Sequence, residues 1–172
     1  EHPVSIDKVC ETIAGIHGML IYDTLFGTDD DLVPHPQMVG DYKISDDGLV
    51  YRFTLRDGLK FTDGQPVTTE DVIASLKRWS SKDQAGKALF GYVKSLEKND
   101  DKTFTMNLTE PYGLVLETLG KTGTMVPVIM RAKDAAVPGN EQIKEAIGSG
   151  PYKMLRDEWV PGSKAVYVKN KD

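Results

Sequence analysis

Residues 55–72 of this chain read Leu55-Arg56-Asp57-Gly58-Leu59-Lys60-Phe61-Thr62-Asp63-Gly64-Gln65-Pro66-Val67-Thr68-Thr69-Glu70-Asp71-Val72, and they fix a strand, two tight turns and a helix start in one stretch. Tyr51, Phe53 and Leu55 alternate with Arg52, Thr54 and Arg56. A period of two with aromatic and apolar residues on one side predicts a half-buried strand. Asp57-Gly58 and Asp63-Gly64 predict turns, because glycine accepts positive φ and aspartate bonds to nearby backbone. Leu59 and Phe61 keep the alternation between them, which predicts a second short strand. Pro66 punctuates the approach to a helix. Thr68 suits the N-cap, and Asp71, three residues on, completes an aspartate version of the capping box. That acid also sits at the positive end of the helix dipole. Val72, Leu76 and Trp79 recur at i, i+4 and i+7 and give the helix an apolar face, while Lys77 and Arg78 are expected at its C-terminal end. Each of these residues is explained by scaffold alone; nothing in the stretch looks catalytic.

Size and charge narrow the function. At 172 residues the chain can build one domain with a real core. A net charge of -5 leaves no basic stripe for neutralising phosphates, which argues against nucleic acid as a partner. No apolar run approaches the roughly 20 residues of a membrane span. Glu1-His2-Pro3 is not a charged-then-apolar leader, so the chain is expected to be cytosolic or to have lost its leader. Cys10 is the only cysteine; it supports neither a disulfide framework nor a cysteine metal cluster and reads as a small buried hydrophobe.

The rest of the chain reads as alternating short elements. Val9, Ile13, Ile16 and Leu20 predict a helix over Val9 to Leu20, interrupted by Gly15 and Gly18 and closed by residues 22–26. Gly27 to Pro36 is expected to be a polar turn. Met38 to Ile44 reads as extended, and Ser45-Asp46-Asp47-Gly48 as a hairpin turn. Ser80 to Gly86 reads as a loop, followed by an apolar, aromatic segment from Ala88 to Leu96 and a turn at residues 98–102. Thr103 to Leu108 alternates as a strand. After Pro111 a short helix is expected with Leu114, Val115 and Leu119 facing inward. Met125 to Met130 is an apolar run, and Gln142 to Ile147 a short helix ended by Gly148. Tyr152 to Trp159 and Ala165 to Val168 read as strands joined at Pro161-Gly162. The stop just after a strand, at residues 167–172, reads as the end of a fragment.

Five pieces, in order, resemble the extracellular solute-binding proteins of family 5, the dipeptide and oligopeptide receptors of bacterial ABC importers. Residues 21–25 (Ile-Tyr-Asp-Thr-Leu) resemble a helix end of the form variable-Tyr-Glu-x-Leu. Residues 31–42, with Pro34 and Pro36, resemble a proline-spaced run ending in tryptophan, where this chain has Tyr42. The signature residues are Leu55, Arg56, Phe61, Asp63, Gly64, Pro66, Thr68, Asp71 and Val72. Asp100-Asp101-Lys102-Thr103-Phe104 resembles the hairpin of the family, followed by residues 108–111 (Leu-Thr-Glu-Pro). Gly148-Ser149-Gly150-Pro151-Tyr152 resembles its Gly-Thr-Gly-Pro-Tyr turn, with Trp159, Gly162 and Asn170 in the run that follows.

The resemblance implies an α+β fold with a mixed, mainly antiparallel sheet and flanking helices: the small added domain plus adjoining first-lobe edges of a two-lobed type II periplasmic binding protein. Residues 1–20 or so would be a first-lobe edge, 21–145 the small domain, and 146–172 the return into the first lobe. It implies a non-enzymatic receptor, periplasmic or membrane-anchored outside the cell, that holds a peptide or small molecule and hands it to a membrane permease, with no cofactor. Sugars, opines, glutathione and nickel complexes are alternative ligands of the family, and a docking module without its own ligand is a further alternative. Phe90 and Tyr92 lie about where relatives offer an aromatic side chain to the cleft; packing of a short helix explains them as well. Val4 to Ile16 would border the cleft. His2, His17 and His35 are not at metal-ligand spacing, and Asp29-Asp30-Asp31 lacks the glycine and distal glutamate of a calcium loop. Ser149 lies in Gly-Ser-Gly-Pro, which is no nucleophile elbow.

Overall fold

The computed structural model describes residues 17–171 except 124, 139, 140, 142, 144 and 161. The expectations for Val4 to Ile16, Cys10 and His2 lie outside the described residues.

Its centre is a four-stranded antiparallel sheet in the order β4 (Val39–Ile44), β5 (Val50–Leu55), β7 (Thr103–Leu108), β6 (Val93–Lys98). Alternation decides its two faces. Tyr51 pairs with Met106 and Phe53 with Phe104, so Tyr51, Phe53, Leu55, Phe104, Met106 and Leu108 share one buried face. The Phe53 and Phe104 rings stack at 5.1 Å. The other face is polar: Asn107 Nδ2 donates to Ser95 Oγ and to Glu97 Oε1, both at 2.9 Å. One dry face and one wet face is how antiparallel sheets are ordinarily used. The Asp46-Asp47-Gly48 turn joins β4 to β5 as expected, with Gly48 at φ +67°.

Helix α1 (Thr69–Lys82) buries Val72, Leu76 and Trp79, and these residues belong to the same core as the inner face of the sheet. It runs past Lys77 and Arg78, and Asp83 then ends it and caps α2 (Gln84–Tyr92), donating Asp83 N–H to Trp79 O and accepting Gly86 N–H on Oδ1. The expected loop at Ser80 to Gly86 is therefore a helix-to-helix corner. One aspartate serves both helix ends, so no glycine or proline was needed to mark the break.

Smaller pieces complete the fold. Residues 17–21 are helical. β1 (Asp23–Thr24) pairs with β8 (Val128–Ile129), and β2 (Phe26–Thr28) pairs with β3 (Pro34–Pro36). Both pairs fall where the sequence predicted a helix end and a polar turn; only residues 29–33 turn. Leu59 and Phe61 are buried, yet the pairing there is a single bridge between Lys60 and Pro66 instead of a strand. After α3 (Val115–Leu119), α4 (Ala132–Ala135) follows β8. Leu114 is 55% exposed and does not face inward with Val115 and Leu119. Residues 143 and 145–147 are not helical. Tyr152 to Trp159 is not one strand: β9 (Tyr152–Met154) gives way to a 3-10 turn at Arg156–Glu158, and β9 pairs with β10 (Tyr167–Lys169). All strand pairings among the described residues are antiparallel.

Candidate functional site

The signature residues form a structural knot. Gly58 and Gly64 sit at φ +79° and +85°, as their turns require. Asp71 Oδ2 accepts the Thr68 N–H at 2.8 Å and the Thr68 hydroxyl at 2.9 Å. Its other oxygen accepts the Ala132 N–H at 2.7 Å, so the same side chain also serves the start of α4. Asp63 Oδ1 accepts Gln65 N–H, and Oδ2 accepts Arg131 Nη1 at 2.9 Å. Leu55, Phe61 and Val72 are core residues, while Arg56 and Pro66 are exposed.

Arg131 is a hub that the sequence did not announce. It is 6% exposed and also bonds Asp134 at 2.6 Å and Glu145 at 2.9 Å. Burial opposes its charge, but the three carboxylates outweigh burial and hold the guanidinium more firmly protonated than usual. The same guanidinium holds Glu145 below the usual carboxylate range.

The Gly148–Tyr152 turn is pressed against residue 21. Gly150 N–H donates to Ile21 O at 2.7 Å, and a β-carbon on Gly150 would lie 2.6 Å from Ile21 C. Thr62 N–H donates to Gly148 O at 2.9 Å, and Asn170 donates to Pro151 O at 2.7 Å and to Gly150 O at 3.0 Å. Three pieces of the resemblance, near residues 21, 62 and 150, thus meet in space.

The structure places Phe90 and Tyr92 on α2, half-buried against the core. Tyr92 ends the helix, its ring 4.9 Å from that of Tyr112 and its carbonyl accepting Thr109 N–H at 2.8 Å. Of the remaining histidines, His17 Nδ1 lies 2.7 Å from Tyr167 Oη, and His35 Nε2 lies 2.6 Å from Asp29 Oδ2. Asp29 also accepts the N–H groups of Asp31 and Val33, so its carboxylate organises its own turn.

A groove of about 220 Å³ lies elsewhere, between β1, β2, Gln37 and the loop after α3; Phe90 and Tyr92 do not line it. Its walls include Tyr22, Asp23, Phe26, Gln37, Lys121 and Val128. Asp23 is 7% exposed. Its Oδ1 accepts Thr24 N–H at 2.8 Å and the Gln37 amide; its Oδ2 is 3.8 Å from Arg56 Nη2. Burial pushes the Asp23 carboxyl above the usual range, and Thr24, Gln37 and Arg56 pull it only part of the way back. Lys121 pairs with Asp83 beneath α2. Sequence reading treated residue 23 as part of a motif and passed over Gln37 and Lys121, which carry no spacing signal.

The fold is α+β, and residues 33–172 match the bacterial extracellular solute-binding proteins, family 5 (middle region). The chain belongs to that family. It is 45% identical over 170 residues, 97% of its length, to a probable peptide ABC transporter periplasmic-binding protein, y4tO, of Sinorhizobium fredii. It is 31% identical over 77% of its length to a probable D,D-dipeptide-binding periplasmic protein, DdpA, of Escherichia coli. Among solved structures it is similar to the oligopeptide-binding protein AppA of Bacillus subtilis in complex with a nonapeptide, with a TM-score of 0.73 and 28% identity over 91% of this chain and 32% of AppA. It is also similar to AgaA of Agrobacterium tumefaciens in complex with agropinic acid, with a TM-score of 0.68 and 29% identity over 88% of this chain and 30% of AgaA. The chain spans between about a quarter and a third of the length of the relatives it matches (32% of y4tO and 26% of DdpA).

Proposed function

We propose that this chain is part of the substrate-binding component of a bacterial ABC importer, working outside the cytoplasmic membrane, and that its ligand is a peptide. The 45% identity to a probable peptide-binding relative, along nearly the whole chain, carries the reading. The receptor makes and breaks no bond. Ligand stabilises a closed arrangement of two lobes, and a membrane permease reads that arrangement. In this reading residues 21–145 form the small domain, the flanking segments belong to the first lobe, and Phe90 and Tyr92 offer aromatic area to the ligand. A tyrosine suits such a wall because it combines apolar surface with one hydrogen-bonding group. The exposed part of Phe90 and Tyr92 supports the assignment; the Tyr112 contact competes with it for the Tyr92 ring.

The test is to purify the full-length protein without denaturant, release its bound small molecules and identify them by mass spectrometry. A ladder of short peptides is the expected result. A single opine, sugar or metal complex would overturn the peptide assignment while leaving the family unchanged; the AgaA complex makes the opine outcome concrete.

A further inference from the structure

Aspartate followed by glycine can rearrange its own backbone, because a residue without a β-carbon leaves its amide nitrogen unshielded beside the aspartate side chain. The chain has three such pairs, at residues 47–48, 57–58 and 63–64. All three lie in turns, with the glycine at φ +67°, +79° and +85°. The glycine and the sign of its φ therefore do not separate them. Their hydrogen bonds do.

Gly48 N–H donates to Ser45 O and Gly64 N–H to Phe61 O, both at 2.8 Å. Among the described residues Gly58 N–H donates to none. The carboxylates divide in the same way. Asp47 accepts the Ser45 hydroxyl at 2.5 Å and Leu49 N–H at 3.1 Å. Asp63 accepts Gln65 N–H at 3.1 Å and the Arg131 guanidinium at 2.9 Å. Among the described residues the Asp57 carboxylate has one partner, the Lys102 ammonium, and no backbone donor. The Asp57 side chain is 89% exposed, against 25% for Asp63. A β-carbon on Gly58 would meet nothing within 4 Å, so the turn has room for a longer backbone.

We propose that Asp57-Gly58 is the site at which this protein forms isoaspartate. Gly58 N attacks Asp57 Cγ; the new C–N bond closes a succinimide, and the carboxyl hydroxyl leaves with the amide proton as water. Water then reopens the ring. Attack at Asp57 C breaks the original peptide bond, and the chain now runs through Cγ as isoaspartate. Attack at Cγ breaks the new bond and restores aspartate. No oxidant, cofactor or second protein takes part. The neutral carboxyl is the form that reacts, so Lys102, which holds Asp57 below the usual carboxylate range, acts as a brake. The product adds one methylene to the main chain between Leu55 and Leu59, which are both core residues, so the exposed turn must absorb it. The site does not rest on the peptide assignment.

The experiment incubates the folded full-length protein in mildly acidic buffer and follows isoaspartate at each of the three pairs by peptide mapping, with fragmentation that distinguishes the two isomers. Formation at Asp57 is expected to be about tenfold faster than at Asp47 or Asp63, since each of those must first give up bonds on both the nitrogen and the carboxylate. In urea, where those bonds are gone, the three rates are expected to converge. Lys102→Ala is expected to speed the reaction at Asp57 and leave the other two pairs unchanged. Three results would each overturn the proposal: no lead for Asp57 in the folded protein, the same lead in urea, or a Lys102→Ala rate equal to or below that of the parent. The identity of the receptor's ligand has no bearing on any of these rates, so the two readings fail separately.

Discussion

Gly150 has no room for a β-carbon. The nearest atoms would be Ile21 C at 2.6 Å and the carbonyl oxygens of Ile21 and Tyr22 at 2.7 Å, all backbone and unable to step aside. Gly150→Ala must push the turn off residue 21 and break the 2.7 Å bond between Gly150 N–H and Ile21 O. A loss of about 2–4 kcal/mol is expected from overpacking plus a broken buried bond, measured by urea unfolding. Asp23 gives a residue-scale prediction in pH. Its folded-state pKa is raised, first by burial. Folding therefore favours the protonated form, and the stability tied to this group is fully present below the unfolded pKa and lost as pH rises through the folded one. The stability of the parent protein relative to Asp23→Asn should fall as pH rises from about 3.8 through the folded pKa of Asp23. Equal pH curves for the two proteins would show that the carboxyl titrates as in the unfolded chain.

Helix α1 works through two stripes at the element scale. Val72, Leu76 and Trp79 face the core. Asp71, Ser75 and Arg78, at i, i+4 and i+7, hold the segment from Met130 to Val137 by its backbone. Asp71 takes the Ala132 N–H, Ser75 exchanges bonds with Met130 N–H at 2.9 Å and Met130 O at 3.1 Å, and Arg78 donates to Ala135 O and Val137 O. Such a clamp reads main chain, so it places few demands on the side chains it holds. Ser75→Ala would leave the buried Met130 N–H and C=O without the hydroxyl. A cost of about 1–3 kcal/mol is expected, together with faster hydrogen exchange at the Met130 amide. Arg131, at the start of the same segment, ties it back to Asp63 in the signature turn. Arg131→Met strands Asp63 and Asp134 in a partly buried setting and should cost about 3–5 kcal/mol by thermal unfolding. Adding Asp63→Asn to that variant should recover part of the loss, which a pure packing role for Arg131 would not allow.

At the largest scale, the chain spans between about a quarter and a third of the length of its relatives. In a two-lobed receptor the cleft has two walls, and ligand affinity depends on contacts from both. The 172-residue chain alone is therefore expected to show no micromolar binding in a calorimetric titration with a mixture of short peptides. Micromolar binding would place a complete site within this chain and would redirect attention to its own grooves.

Much of this fold was written in local pattern. The alternation of Tyr51, Phe53 and Leu55, the Thr103 to Leu108 strand, the Asp-Gly turns and the Thr68-Asp71 cap all needed only neighbours a few residues away, and they formed as read. Elements held together by distant partners were not legible. β1 and β2 are too short to show a period, and they exist because Ile129 and Pro36 lie beside Asp23 and Phe26. The continuation of α1 to Lys82 rests on one aspartate serving two helix ends. Motif order named the family because glycines pressed against backbone and paired turns tolerate few substitutes. The groove at Asp23 and the Arg131 hub came only with tertiary structure: Gln37 lies 14 residues from Asp23, Glu145 and Asp63 lie 14 and 68 residues from Arg131, and the burial that gives those charges their force exists only once the core has closed around them.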